Sequence, residues 1–260
     1  MKEGCSMLPI ERRNKIIELL QEEKKVVVTN LSSLFGVTEE TIRRDLEKLE
    51  KEGIATKTYG GAVLNEDLRL DLPYKVRKRT NTAGKQLIGK RISSLIEDGD
   101  HIMLDGSSTA LYIAKNIKDK KNLTIITNSI EILFELSDVS GWNILSTGGF
   151  MKESALALVG YQAERMIKSY NVDKAIISCK GIDIEKGITD SNELDAHIKK
   201  LMADAAKTKI LAVDSTKFEK VSFTKIIDMS KIDILVTEHE LDDDWKQALS
   251  NFDIEVIDGK

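Results

Sequence analysis

The chain has 260 residues, of which 41% are hydrophobic and 32% charged, a balance that excludes a disordered polypeptide and fits one large domain or two smaller ones. Its formal net charge of -4 excludes a surface that is basic throughout, so any nucleic-acid contact must be local. There is no run of about 18 apolar residues to span a membrane, and the opening "MKEGCSMLPIERRNK" lacks the apolar core of a secretory signal.

Cys5 and Cys179 lie far apart and without metal-ligand spacing. Neither a disulfide framework nor a metal site is expected, no cofactor is implied, and the usage fits a reducing cytoplasm. The charge is unevenly spread. Residues 1–64 hold 11 Lys+Arg and 11 Asp+Glu, whereas residues 65–91 hold 8 against 3.

Pro9 suits the first turn of a helix, where its missing N–H costs nothing. Ile10, Ile16, Ile17, Leu19 and Leu20 then form an apolar face that carries the helix to about Glu23. "KKVVVTN" follows as a short extended run, with Thr29 or Asn30 capping a second helix over "LSSLF" that Gly36 stops. Thr38 caps a third helix, and Glu39 and Glu40 suit the positive end of its dipole. Ile42, Leu46 and Leu49 face a core, while Arg43 and Arg44 lie off that stripe. Gly53 ends the helix, and "IATKTYGGAVL" reads as a β-hairpin around Gly60 and Gly61.

Helix, helix, turn, helix and hairpin make a winged helix-turn-helix. In that arrangement the third helix enters the major groove, and Thr38, Thr41, Arg43 and Arg44 reach base edges or phosphates. Lys57 and Tyr59 on the hairpin contact the flanking backbone. The competing reading is a solvated face, with Asp45, Glu47, Glu50 and Glu52 pairing the arginines.

The stretch "VTEETIRRDLEKLEKEGIATKTYGGAV" closely resembles the DNA-binding domain of the DeoR family of bacterial transcriptional regulators. That resemblance implies double-stranded operator DNA as a partner.

Residues 65–81 form a basic linker between a winged unit at 1–64 and a larger domain at 82–260. "KVRKR" within it is either solvated or an auxiliary phosphate contact. Beyond Thr82, helical and strand patterns alternate, which implies a largely parallel sheet covered on both faces.

Ligands bind such folds at the carboxyl ends of the strands. Those ends carry Asp105, Ser107, Ser108 and Thr109, then Thr127, Asn128 and Ser129, then Gly148 and Gly149, then Lys180 and Gly181, and finally Lys217 in "DSTK". Ser107–Thr109 opens a helix whose N–H groups favour an anion, and Lys152, Lys180 and Lys217 supply positive charge. Strand-to-helix turns also need Gly, Ser and Asp for geometry alone. Their coincidence at successive ends points to a small phosphorylated ligand.

This region resembles the DeoR effector domain, whose fold is similar to ribose-5-phosphate isomerase and the acetyl-CoA transferases. The resemblance implies a repressor of a carbohydrate operon that a sugar phosphate releases. The family's Asp-Ser-Gly-Thr-Thr is "DGSST" here, Lys152 stands where arginine is preferred, and "CKGI" puts Lys180 in place of an aspartate. "DSTKF" keeps the family pattern around Lys217. Two rival classes follow from the residues. One is a sugar-phosphate isomerase using Asp105, Asp183, Asp190, Glu193 or His197 as base, with His197 read as a surface or packed residue. The other is a DNA-binding protein without an effector. A homo-oligomer, dimer or tetramer, is expected, because tight operator binding normally needs two half-sites.

Overall fold

A computed structural model describes residues 7–65, 72–152 and 155–259. The chain divides into two compact units, Met1–Thr80 and Asn81–Lys260. Cys5 lies outside the described residues, as does the middle of the basic stretch at 66–71.

The first unit runs α1 (Pro9–Glu23), β1 (Lys25–Val27), α2 (Val28–Phe35), α3 (Glu39–Lys51), β2 (Ala55–Thr58), β3 (Gly61–Leu64) and α4 (Tyr74–Arg79). The three strands form an antiparallel sheet in the order β1-β3-β2. Ile16, Ile17 and Leu20 from α1 pack with Leu31 from α2 and with Ile42, Leu46 and Leu49 from α3. This core is what the helical spacing predicts, with one exception. Ile10, placed on the apolar face by sequence, is 49% exposed at the start of α1.

The third helix begins as expected, with the Thr38 hydroxyl accepting from the Thr41 N–H at 3.3 Å. Gly36 ends α2 at φ +63°, in the left-handed region. The start of α2 differs from expectation. Strand β1 passes directly into helix at Val28, so Thr29 and Asn30 lie inside the first turn and no side chain caps it. Gly61 is required for another reason: a Cβ there would collide with the Val26 carbonyl across the β1–β3 pair.

The basic stretch also departs from an open linker. Its second half is the helix α4, and Leu72 and Val76 join the core of the first unit. Their burial was hidden in the sequence because six residues are too few to show a helical period.

The second unit contains α5 (Thr82–Ser93), β4 (His101–Leu104), α6 (Ser108–Asn116), β5 (Thr124–Thr127), α7 (Ile130–Leu136), β6 (Asn143–Ser146), β7 (Phe150–Lys152), β8 (Ala157–Val159) and α8 (Tyr161–Ile167). It continues with β9 (Val172–Ile177), β10 (Gly181–Asp183), β11 (Gly187–Asp190), α9 (Glu193–Asp204), β12 (Ala206–Ala212), β13 (Thr224–Ile227), β14 (Ile234–Val236), α10 (Asp243–Ser250) and β15 (Glu255–Ile257). Seven strands build one sheet in the order β15-β14-β12-β9-β4-β5-β6, and every pairing in it is parallel.

Alternate residues of these strands serve two cores, as the period of two requires. Ile102, Leu104, Ile125, Ile176 and Ile210 pack with α5, α6 and α7. Met103, Ile126, Ala175, Ile177 and Leu211 pack with residues of α8, α9 and α10. Two small antiparallel sheets, β7–β8 and β10–β11–β13, were not legible as strands, since each strand is only three or four residues long. No described helix is long and apolar enough to cross a membrane.

Candidate DNA-reading surface and effector site

On α3, Ile42, Leu46 and Leu49 face inward and leave Arg43 and Arg44 outside, with 53% and 73% of their side chains exposed. The acids named in the sequence as possible partners do not hold them. Arg43 pairs with Glu39 at 2.8 Å and Arg44 with Glu40 at 3.2 Å, each one helical turn back.

Asp45 points the other way. It is buried and takes Arg12 Nε of α1 at 2.5 Å and Arg13 Nη1 at 3.4 Å. Its spacing of three from Ile42 put it on the apolar stripe, the signal that it faces inward. Thr38 and Thr41 share a hydroxyl contact at 3.0 Å on the exposed start of α3. Lys57 on the hairpin reaches Glu47 at 3.1 Å, and Tyr59 stands fully in solvent.

In the second unit the sheet grows outward from β4 in both directions: β5 and β6 on one side, β9, β12, β14 and β15 on the other. The β4–β9 junction is therefore the point where the winding reverses, and ligand crevices open there, beyond the carboxyl ends. Asp105 ends β4 at this point and is fully buried. Its two oxygens accept from the Ser107 N–H at 3.0 Å and the Ser178 N–H at 2.8 Å, which ties the ends of β4 and β9 together.

Lys199 of α9, also buried, ion-pairs with Asp190 and lies 3.6 Å from Asp105. Burial works against its charge, but Asp190 and Asp105 outweigh that and raise its pKa above the usual lysine value. Asp190 is lowered despite burial, by Lys199 first and Lys180 next. Neither Lys199 nor its role was read from the sequence, although a lysine three residues beyond Ala196 and four before Ala203 lies on a buried stripe.

The remaining predicted residues fall along the same edge. Ser107 caps α6 by accepting from Ala110, and Ser108 and Thr109 are buried in its first turn. Thr127 donates to the Leu104 carbonyl and accepts from the Ser129 N–H, so its hydroxyl fastens β4 to β5. Ser129 in turn caps α7. Gly149 approaches the Val159 carbonyl so closely that a Cβ would clash, and Gly148 adopts φ +64°. Gly181 approaches Lys220 in the same way. Lys152 is drawn into an ion pair with Asp195 of α9.

Lys217 lies 2.7 Å from the Thr216 hydroxyl and 3.5 Å from Asp214. Burial pushes Asp214 up, but Lys217 and Lys85 outweigh it and hold it at about 2. Cys179, between these groups, is buried and pushed up to about 12, so it is an unreactive thiol.

Asn128 carries the most informative atom. Its side-chain amide donates to the Leu158 carbonyl at 3.0 Å, while its Oδ1 is buried with no hydrogen-bond partner. The side-chain amide lies beside Gly106, where a Cβ would sit 3.5 Å from Oδ1 and 3.6 Å from Nδ2.

Three of the four carboxylates an isomerase could use are engaged otherwise, and Glu193 lies exposed in the first turn of α9. Asp105 and Asp190 hold the buried lysine, and Asp183 caps the N–H groups of Glu185 and Lys186. His197 is half exposed, 3.4 Å from Glu164, as a surface histidine. Among the described residues no cluster of metal-ligating side chains occurs.

A winged helix-turn-helix joined to a parallel α/β unit with a polar carboxyl edge defines a ligand-sensing DNA-binding protein. Residues 12–67 match the DeoR-like helix-turn-helix domain, and residues 80–239 match the DeoR C terminal sensor domain. The chain is 39% identical over 250 residues to the uncharacterized HTH-type transcriptional regulator YulB of Bacillus subtilis (strain 168), covering 96% of each. It is 33% identical over 249 residues to a putative aga operon transcriptional repressor of Escherichia coli O157:H7, covering 95% of this chain and 93% of that one. Ribose 5-phosphate isomerase A from Methanocaldococcus jannaschii overlaps 54% of this chain and 55% of its own, at TM-score 0.40 and 16% identity, too low to support any inference. The chain belongs to the DeoR family of transcriptional regulators. It is a DNA-binding regulator and not an enzyme.

Proposed function

We propose that this protein represses a carbohydrate-metabolism operon in the cytoplasm, and that a phosphorylated sugar or related anionic metabolite releases it. The operator is read by α3 through Thr38, Thr41, Arg43 and Arg44, with Lys57 and Tyr59 of the hairpin on the flanking backbone. The effector binds along the carboxyl ends of the strands, from the β4–β9 junction to the end of β5, where Asn128 lies.

The carrying observation is the Asn128 Oδ1, a buried acceptor with no partner beside the start of α6. A buried oxygen left unpaired costs about 1–3 kcal/mol, and a sugar hydroxyl would satisfy it. The adjoining N–H groups of α6 and the charge of Lys217 suit a phosphate. A relative named as the L-fucose operon activator of Haemophilus influenzae supports a carbohydrate role.

A screen of thermal stability tests this reading. A phosphorylated sugar should raise the melting temperature by mass action, while its unphosphorylated counterpart and inorganic phosphate should not. No shift with any phosphorylated sugar would contradict it. The protein acts as a homo-oligomer, dimer or tetramer, because one winged helix covers a single half-site. A monomer by sedimentation that still binds its operator tightly would contradict that part.

A further inference from the structure

The two arginines of α3 are both paired within their own helix. Arg43 and Arg44 each hold a glutamate from the first turn of their own helix, at 2.8 and 3.2 Å, and all four side chains are substantially exposed. The first two turns of α3 therefore present a surface with two positive and two negative charges. The unit around them is close to neutral as well, with 16 Lys+Arg and 14 Asp+Glu in residues 1–80.

For a surface that meets a polyanion this is unusual chemistry. Attraction to phosphate alone supplies most non-specific DNA affinity, and here it is largely cancelled. Resting on the reading of α3 as the DNA-contacting helix, we infer that Glu39 and Glu40 set how far this protein distinguishes its operator from other DNA. They hold Arg43 and Arg44 until a matching base edge displaces them.

On an arbitrary duplex, a guanidinium that leaves its glutamate gains a phosphate oxygen in exchange for a carboxylate oxygen. The freed carboxylate is then left beside the phosphate backbone. On a matching site, guanine O6 and N7 accept both prongs of the guanidinium fork, and the freed glutamate can accept from the amino group of a cytosine in the same groove. The opposition to binding is common to all sequences; the compensation exists only at the matching one. Exposed ion pairs one turn apart are weak enough for a base edge to open them.

The test uses the full chain with two duplexes: one recovered from a random pool by the wild-type protein, and a scramble of equal length and composition. Glu39→Gln, Glu40→Gln and the double variant keep side-chain shape while removing charge, and thermal melting confirms that each is folded. The double variant should bind the scramble about tenfold more tightly or better, and its dependence on log salt should steepen by up to about 2, as two guanidinium groups turn to phosphates. Affinity for the selected duplex should change less than about threefold, so that discrimination falls. An equal gain on both duplexes, or no change on either, overturns the inference. Arg43→Ala and Arg44→Ala run alongside. If they lose the selected duplex while the glutamine variants keep full discrimination, the inference falls alone. If they leave both duplexes unaffected, α3 is not the reading helix and the docking it rests on falls too.

Discussion

Asp214 shows how a buried carboxylate beside a lysine ties the stability of the fold to pH. Lys217 lies 3.5 Å from Asp214, and Asp214 is held at about 2 against an ordinary 3.8. A carboxylate whose pKa is lower in the folded chain stabilises it above pH 3.8, and that contribution is lost as pH falls through about 2. The difference amounts to about 2 kcal/mol. The stability gap between wild type and Asp214→Asn should therefore narrow as pH drops from 4 to 2 in denaturant titrations. A gap that stays constant would show that Asp214 carries no such charge-dependent stabilisation. Lys217→Ala should lower effector affinity about tenfold or more, since a hydrogen bond to a charged group contributes about 1.5–3 kcal/mol. Operator binding without effector should stay near wild type, and an unchanged effector midpoint would make Lys217 purely structural. Lys199 was missed because a sequence-based reading looks for functional lysines in loops. Here the charge comes from the middle of a helix and reaches strand ends that are distant in the chain.

Among the elements, α3 is the most legible and the most constrained. Thr38, Ile42, Leu46, Leu49 and Gly53 specify its start, its buried face and its end, and all five behave as their types and spacing require. The pin that sets its rotation was not legible as such, because Asp45 was read with the exposed acids. Its partners Arg12 and Arg13 come from α1, more than 30 residues earlier. Breaking a buried ion pair by removing one charge costs about 3–5 kcal/mol, against about 0–1 for an exposed pair such as Arg44–Glu40. Asp45→Asn should lower the stability of the first unit by about that larger amount in chemical denaturation, and a loss below about 1 kcal/mol would mean the pin is dispensable. The short strands β7, β8, β10, β11 and β13 escaped notice for a different reason. Three or four residues carry too little alternation, and their partners are fixed by tertiary pairing, as when Gly181 faces Thr189.

At the scale of the whole molecule, two units with separate cores divide the work. One matches a DNA-binding helix-turn-helix domain and the other a sensor domain, and in the function proposed here the first offers a helix face to DNA and the second the carboxyl edge of its parallel sheet to a small ligand. The broad alternation of strands and helices made the second architecture readable, and the sheet order explains why strand ends scattered through the sequence from Asp105 to Lys217 meet along one edge. What the sequence did not disclose is how many of those residues are committed to the fold: the hydroxyls of Thr127 and Ser129 and the charge of Lys152 already have partners inside the protein. The measurement that tests the central claim most directly is operator binding by the purified chain across a titration of phosphorylated sugars and their unphosphorylated counterparts. One phosphorylated sugar should weaken operator binding by about tenfold or more, as expected for a coupling of 1–3 kcal/mol, with no response to the unphosphorylated form. Operator affinity that stays constant across every phosphorylated sugar would contradict the account.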